Sequence, residues 1–214
     1  MNDVRHTRLI QRYTPGERAN HWIVAIAFVL LALSGLALFH PYFYPLTGLF
    51  GGGTWTRILH PWIGVFMFLL FLVLAIRMAR HNAINRADRQ WLRQFGDVIN
   101  KREDRVPEVG KYNAGQKILY FALILLMIGL LLTGLVMWRE YFASFFGLWL
   151  IQLASVLHAI FAFLIICAII VHIYAGIWVK GSLRSMTRGT VTPGWAWKHH
   201  RAWFRQVRGM PSRK

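Results

Sequence analysis

Four long apolar runs limit what this chain can fold into. Residues 22–39 and 118–138 are almost free of charge and long enough to cross a hydrocarbon layer of about 30 Å as helices. Residues 60–78 form a third run, and residues 148–179 form a fourth that is longer than one crossing requires. Because these runs lack the alternation of barrel strands, only helices can satisfy their backbone groups in lipid. The sequence therefore predicts an all-α, integral membrane four-helix bundle, with residues 1–214 forming a single domain.

The distribution of basic residues predicts how the bundle is oriented. The formal net charge is +17, and 23 of the 25 Lys and Arg residues lie before the first span, between Arg77 and Lys117, or after residue 179. Each of the other two links carries one, Arg57 or Arg139. Since cytoplasmic segments of membrane proteins are enriched in Lys and Arg, we expect both termini and the 79–117 link to be cytoplasmic. The basic charge then reports topology in a bacterial inner membrane and contact with lipid headgroups, and no nucleic-acid partner is expected.

The cysteine count restricts the cofactors that the chain can hold. Cys167 is the only cysteine and lies in the fourth run. An intrachain disulfide, a cysteine-ligated iron–sulfur cluster and a covalent C-x-x-C-H heme are therefore excluded. Any heme must be b-type and held without covalent attachment. The first run also lacks a following small-residue cleavage site, so we expect it to remain as a span rather than act as a removed signal peptide.

Two histidines inside the fourth run are the strongest functional signal. Ionisable residues within spans are rare and usually functional, and His158 and His172 are fourteen residues apart. That spacing returns to nearly the same helix face and separates the two rings by roughly 21 Å along the axis. One helix could thus offer one ligand to each of two stacked hemes, whereas ligands so far apart cannot share a zinc ion.

Two further histidines lie at the beginning of other runs and complete the ligand set. His21 enters from the cytoplasmic side, at the depth of His172, and His60 enters from the outer side, at the depth of His158. The predicted topology therefore pairs His21 with His172 and His60 with His158, which supplies two axial ligands to each of two irons. The remaining histidines are expected to be interfacial or surface residues: His6, His40, His81, His199 and His200.

Small residues near these histidines favour a planar macrocycle. Gly64, Ala162 and Gly176 each follow a proposed ligand by four residues, and Gly35 follows His21 by fourteen. Each is therefore on the face of its ligand, where little bulk lets a porphyrin lie against the helix. Ordinary close helix packing remains an alternative, since small residues are also enriched where membrane helices cross.

The middle link contains a segment of ambiguous structure. In residues 88–98, apolar side chains recur at three- and four-residue intervals between charges. This pattern is typical of a short interfacial helix, but a solvated link is an equal alternative.

Several segments resemble a known family. They are Val-Gly-Lys-Tyr-Asn-Ala-Gly-Gln-Lys at 109–117, Arg-Ile-Leu-His-Pro at 57–61, Gly-Leu-Val-Met-Trp-Arg-Glu-Tyr-Phe-Ala at 134–143, Val-His-Ile-Tyr-Ala at 171–175, Trp-Val-Lys-Gly-Ser at 178–182 and Lys-His-His at 198–200. Together they closely resemble the gamma (cytochrome b) subunit of respiratory formate dehydrogenases, over nearly the whole chain. The wider superfamily includes cytochrome b subunits of nickel–iron hydrogenases and thiosulfate reductases with the same four-span, two-heme plan. The 110–117 segment is the part that favours formate dehydrogenase.

The resemblance implies specific sites. It implies that the four paired histidines are axial ligands of two hemes b. It also implies a site for menaquinone or ubiquinone near the cytoplasmic heme, lined by Asn113, Gly115 and Gln116 with His172 beside it. Amide groups can donate to quinone carbonyls, and glycine permits close backbone approach. From the residues alone, residues 113–116 would instead be interpreted as a helix-capping turn before the third span.

The implied activity is electron transfer. The resemblance implies that electrons pass from an iron–sulfur beta subunit to the outer heme, then to the inner heme and to quinone at the cytoplasmic face. Formate would be oxidised in a molybdenum- or tungsten-dependent catalytic alpha subunit, and this chain would hold no formate-oxidising site. Two alternatives remain open: a cytochrome b subunit of a nickel–iron hydrogenase or thiosulfate-type reductase, and a heme-free membrane anchor or transporter.

Overall fold

The computed structural model describes residues 9–100, 102 and 105–211, and this part of the chain is mainly helical. The helices are α1 Pro15–Phe39, α2 Gly53–Ala79, α3 Arg86–Arg93, α4 Phe95–Ile99, α5 Ala114–Met137, α6 Leu148–Trp178, α7 Ser182–Thr187, α8 Pro193–His199 and α9 Arg201–Val207. A 3-10 helix, Pro41–Phe50, follows α1, and a second, Ala143–Phe145, precedes α6. Two short strands, β1 Ile10–Gln11 and β2 Thr190–Val191, pair antiparallel.

Four of these helices, α1, α2, α5 and α6, are long and apolar enough to cross a membrane, with 25, 27, 24 and 31 residues. Their C-terminal ends agree with those of the four predicted spans to within one residue, but α1 and α2 begin seven residues before the apolar runs do. The early start of α1 has a local cause, because Glu17 N donates to Thr14 Oγ1 at 3.2 Å and Thr14 N donates to Glu17 Oε2 at 2.7 Å. This capping box, with Pro15 as the first helical residue, starts the helix outside the apolar run. His21 and His60 consequently lie inside helices rather than at their ends.

The chain divides into two compact units. The four-helix unit comprises residues 19–76 and 122–173. Its core is a cluster of buried apolar residues from all four long helices, Ala27, Met67, Leu126, Met127 and Ile165. Only 6 to 17% of the most apolar window of each long helix is buried. Large apolar surfaces left outside the core are what helices in contact with lipid require.

The basic unit comprises the described parts of 1–18, 77–121 and 174–214. Pairing of β1 with β2 joins the N-terminal tail to the C-terminal tail, with Ile10 opposite Val191. His200 Nδ1 lies 2.8 Å from the carbonyl oxygen of Gly110, which joins the C-terminal tail to the middle link. The three basic segments predicted to share one side of the membrane therefore contact one another.

Residues 88–98 of the middle link, for which a helix and a solvated link were equal alternatives, lie in helices α3 and α4. A capping box starts α3, since Asp88 N donates to Asn85 Oδ1 at 3.1 Å and Asn85 N donates to Asp88 Oδ2 at 2.8 Å. Trp91 is 6% exposed and packs with Val109 and Ala114. Of the two alternatives for residues 88–98, the helical one is therefore correct.

Candidate functional site

Four histidines form two pairs within the four-helix unit. His21 on α1 and His172 on α6 have ring centroids 6.3 Å apart, with ring planes inclined by 53°. His60 on α2 and His158 on α6 also have centroids 6.3 Å apart, with planes inclined by 65°. These are the two pairs that spacing and depth predict.

The separation within each pair fits two rings that ligate one metal ion from opposite sides. An imidazole nitrogen lies about 1.1 to 1.2 Å from its ring centroid, and a metal–imidazole bond is about 2.0 Å long, so such rings would have centroids about 6.3 Å apart. The measured value is 6.3 Å for both pairs. Two imidazoles per iron, at two levels of one bundle, match the donor set of two bis-histidine hemes.

Two buried hydroxyls contact the His60/His158 pair. Ser34 Oγ on α1 lies 2.7 Å from His60 Nδ1, and Thr133 Oγ1 on α5 lies 2.8 Å from His158 Nδ1. Ser34 is 0% exposed and Thr133 is 8% exposed. His60 and His158 thus each have their Nδ1 engaged by a neighbouring helix, and only Nε2 is left to bind a metal.

The residue after each hydroxyl is a glycine that lies against the same imidazole. A Cβ on Gly35 would be 3.4 Å from His60 Cε1, and one on Gly134 would be 3.5 Å from His158 Cε1. A Ser-Gly pair on α1 and a Thr-Gly pair on α5 therefore make equivalent contacts with His60 and His158. Ser34, Thr133 and Gly134 are not among the site residues predicted from the sequence, although a hydroxyl residue followed by glycine inside an apolar run is a visible signal.

Other small residues predicted to clear a macrocycle have varied surroundings. A Cβ on Gly64 would approach only Leu31 Cδ2, at 3.9 Å. Within the described residues, a Cβ on Gly176 would meet no atom within 4 Å. Open space at these positions suits the predicted role, which stays a prediction for Gly64, Ala162 and Gly176.

Within the described part of the chain, the His21/His172 pair has different surroundings from the His60/His158 pair. Nδ1 of His21 is buried and has no hydrogen-bond partner among the described residues. The Trp22 ring packs edge-on against His21, with centroids 5.5 Å apart. His172 is exposed on α6. The two proposed heme sites therefore differ in how firmly the protein orients their ligands.

The predicted quinone residues lie in the basic unit and form the start of α5. Asn113 N donates to Gln116 Oε1 at 3.0 Å, and Gln116 N donates to Asn113 Oδ1 at 2.9 Å. The capping turn that the residues alone suggested is therefore present. Capping uses only the amide oxygens, so both side-chain NH2 groups remain available to a ligand. A Cβ on Gly115 would lie 3.4 Å from Trp91 Cη2, so a larger residue there would press on that ring.

The expectation of a surface role is wrong for His200. Its side chain is 3% exposed, its Nδ1 donates to Gly110 O, and Arg12 Nη2 lies 3.3 Å from its Nε2. Burial, and then the adjacent Arg12 guanidinium, hold its pKa well below the usual value. Of the other histidines outside the pairs, His40 accepts a bond from Tyr42 N at 3.2 Å, and His6 lies outside the described residues.

Comparison with known proteins gives consistent matches over nearly the whole chain. A family described as prokaryotic cytochrome b561 matches residues 12–189. The cytochrome b556(fdo) subunit of formate dehydrogenase from Escherichia coli K12 is 43% identical over 205 residues, covering 96% of each chain. The nitrate-inducible cytochrome b556(Fdn) subunit of the same organism is 38% identical, covering 97% of this chain and 96% of its own. A formate dehydrogenase cytochrome b556 subunit from Haemophilus influenzae is 40% identical, covering 94% of this chain and 84% of its own.

Proposed function

The chain belongs to the prokaryotic cytochrome b561 family, and from that premise we propose that it carries electrons through two hemes b to quinone within a formate dehydrogenase. Family membership and the four long apolar helices make it a multi-pass membrane cytochrome with b-type heme. The formate dehydrogenase assignment is supported by relatives that are 38 to 43% identical over almost the full chain.

The two imidazole pairs carry the two-heme proposal. Each pair has the 6.3 Å centroid separation that two axial ligands of one iron need. When bound, each heme supplies a one-electron carrier. His60 and His158 would hold the outer one, on the side of an iron–sulfur beta subunit, and His21 and His172 would hold the inner one. Formate oxidation would take place in a molybdenum or tungsten catalytic alpha subunit of the same complex.

The quinone site is proposed at the start of α5. The capping box fixes the side chains of Asn113 and Gln116. This supports their use as pre-oriented hydrogen-bond donors to the carbonyl groups of menaquinone or ubiquinone. The fixed orientation reduces the entropy that binding would otherwise cost. Gly115 lets the ligand approach the backbone between them.

The membrane orientation is also part of the proposal. The basic unit unites the tails and the link that carry most of the Lys and Arg residues, which supports their common placement on the cytoplasmic side of the inner membrane. An alkaline phosphatase fused after Lys214 should therefore be inactive, and one inserted at Gly52 should be active. The reverse pattern would overturn the proposed orientation.

Heme quantification tests the ligand assignment. We expect His158→Ala or His60→Ala to remove about half of the heme b, and His21→Ala or His172→Ala to remove the other half, because a bis-imidazole iron that loses one ligand is held poorly. His40→Ala is the matched control, since His40 lies outside both pairs and should leave the heme content at the wild-type value. Full occupancy in the paired variants would refute the assignment. A reduced-minus-oxidised spectrum without heme bands in the wild type would instead favour the heme-free anchor.

A further inference from the structure

The bond direction at each outer imidazole follows from the helix backbone. The Ser34 hydroxyl lies 2.8 Å from Leu30 O, and the Thr133 hydroxyl lies 2.7 Å from Gly129 O. A hydroxyl has one hydrogen, and a carbonyl oxygen can only accept. Two oxygen atoms this close would repel each other without a hydrogen between them, so each hydroxyl gives its hydrogen to its own helix. Its oxygen must then accept a hydrogen from the imidazole. His60 and His158 are thereby held as the tautomer with hydrogen on Nδ1 and a free electron pair on Nε2.

We infer that Ser34 and Thr133 are positioning residues that set the electronic state and orientation of the outer heme's two ligands. This inference rests on the proposed function, because it presumes that His60 and His158 bind that heme. A hydrogen bond from the distal ring nitrogen fixes the ring and makes the ligating nitrogen more basic. A more basic ligand stabilises ferric over ferrous iron, so the pair of hydroxyls lowers the reduction potential of the outer heme.

The His21/His172 pair, which would bind the inner heme, differs from the outer pair in its hydrogen bonds. Among the described residues, His21 Nδ1 has no hydrogen-bond partner, whereas both imidazoles of the His60/His158 pair contact a hydroxyl. The hydroxyls therefore act on one heme only. A lowered potential at the outer site favours electron departure from it, which agrees with the proposed direction of transfer toward the cytoplasmic side.

Thr133→Val and Ser34→Ala test the inference, singly and together. Both remove the hydroxyl with little change in shape, and Thr133→Ser keeps it. Thr56→Val is the matched control, because Thr56 is also fully buried on a long helix and its hydroxyl also donates to the carbonyl four residues earlier, at 2.9 Å to Gly52 O. No hydrogen bond joins it to a histidine in the described part of the chain.

Redox titration of the heme absorbance, with the low-spin ferric spectrum, gives a readout that does not depend on enzyme activity. We expect the double variant to keep both hemes while the reduction equilibrium of one of them shifts about tenfold toward the ferrous state, equivalent to about 59 mV upward. The other heme should be unchanged, each single variant should give part of the shift, and Thr133→Ser and Thr56→Val should titrate like the wild type.

The inference and the proposed function fail in different ways. If His60→Ala and His158→Ala remove half of the heme but the double hydroxyl variant leaves both potentials and the ferric spectrum unchanged, the positioning role is refuted and the ligands stand. If the histidine variants keep all their heme, the proposed ligation is refuted. An equal shift in Thr56→Val would also refute the inference, because it would make the effect one of general helix packing.

Discussion

Replacing Asn113 and Gln116 by their acids separates the helix capping that the structure shows from the donation to quinone that we propose. Each side chain caps α5 through its amide oxygen and has an NH2 group left over. Asn113→Asp with Gln116→Glu keeps an oxygen in each capping position, removes both NH2 donors and adds two negative charges. Asn113→Ala with Gln116→Ala removes the capping oxygens and the donors. The two double variants share the loss of the donors, and they differ in capping and in the two added charges, whose general effect is measured by the control below.

The expected magnitudes follow from these bonds. Loss of an N-cap side chain costs about 0.5 to 2 kcal/mol of stability, so the alanine variant should be less stable, whereas a carboxylate at a helix N-terminus is favourable. Loss of two neutral donor bonds to quinone, at about 1 kcal/mol each, removes about 2 kcal/mol. That is roughly thirtyfold in affinity, so we expect heme reoxidation by quinone to slow at least about tenfold in both variants.

Stopped-flow reoxidation of pre-reduced heme by a quinone analogue is the assay, with heme content and thermal unfolding measured on the same preparations. Both variants should keep both hemes and accept electrons from a donor. Gln90→Glu with Asn100→Asp is the matched control, because it makes the same two amide-to-acid changes at exposed positions of the basic unit. The acid variant of Asn113 and Gln116 reoxidising at the wild-type rate would refute the proposed quinone site. The quinone site would then have to lie elsewhere, most simply at the outer heme, and the proposed electron flow from the outer to the inner heme would have to be reversed.

Three further predictions concern packing and charge. Gly129→Ala should destabilise the protein by about 1 to 3 kcal/mol, measured as a lower unfolding temperature, because its Cβ would lie 2.6 Å from the Phe161 ring. Lys117→Met should destabilise the protein by about 3 to 5 kcal/mol, because Lys117 Nζ lies 2.7 Å from Asp88 Oδ2 and both side chains are 6% exposed. A single variant as stable as the wild type would contradict this. Neutralising Asp88 as well should recover part of the lost stability, because no buried charge is then left unpaired. Since burial keeps His200 neutral in the folded state while the unfolded chain takes up its proton near pH 6.5, the unfolding temperature should fall as pH drops from about 7 to about 5, and less steeply in His200→Gln.

The local chemistry of the sequence determined the membrane architecture and the pairing of the histidines. Charge-free runs of span length must form helices in lipid, and the uneven distribution of Lys and Arg predicts their direction. Fourteen residues between His158 and His172 imply one face at two depths, and the structure contains both predicted pairs. These features depend on length, period and charge, which are properties of one segment at a time.

Only the tertiary structure decided which side chains contact the paired histidines. The long helices are apolar around their whole circumference, so the sequence does not indicate which face meets a neighbour. The contacts of Ser34 with His60 and of Thr133 with His158 depend on the rotation and depth of adjacent helices, which the packing of the common core sets. Burial of His200 likewise requires the C-terminal tail to fold onto the middle link, over a separation of 90 residues. Contacts of this range depend on the whole assembled core, so a local pattern such as a hydroxyl residue followed by glycine does not predict which histidine the hydroxyl will meet.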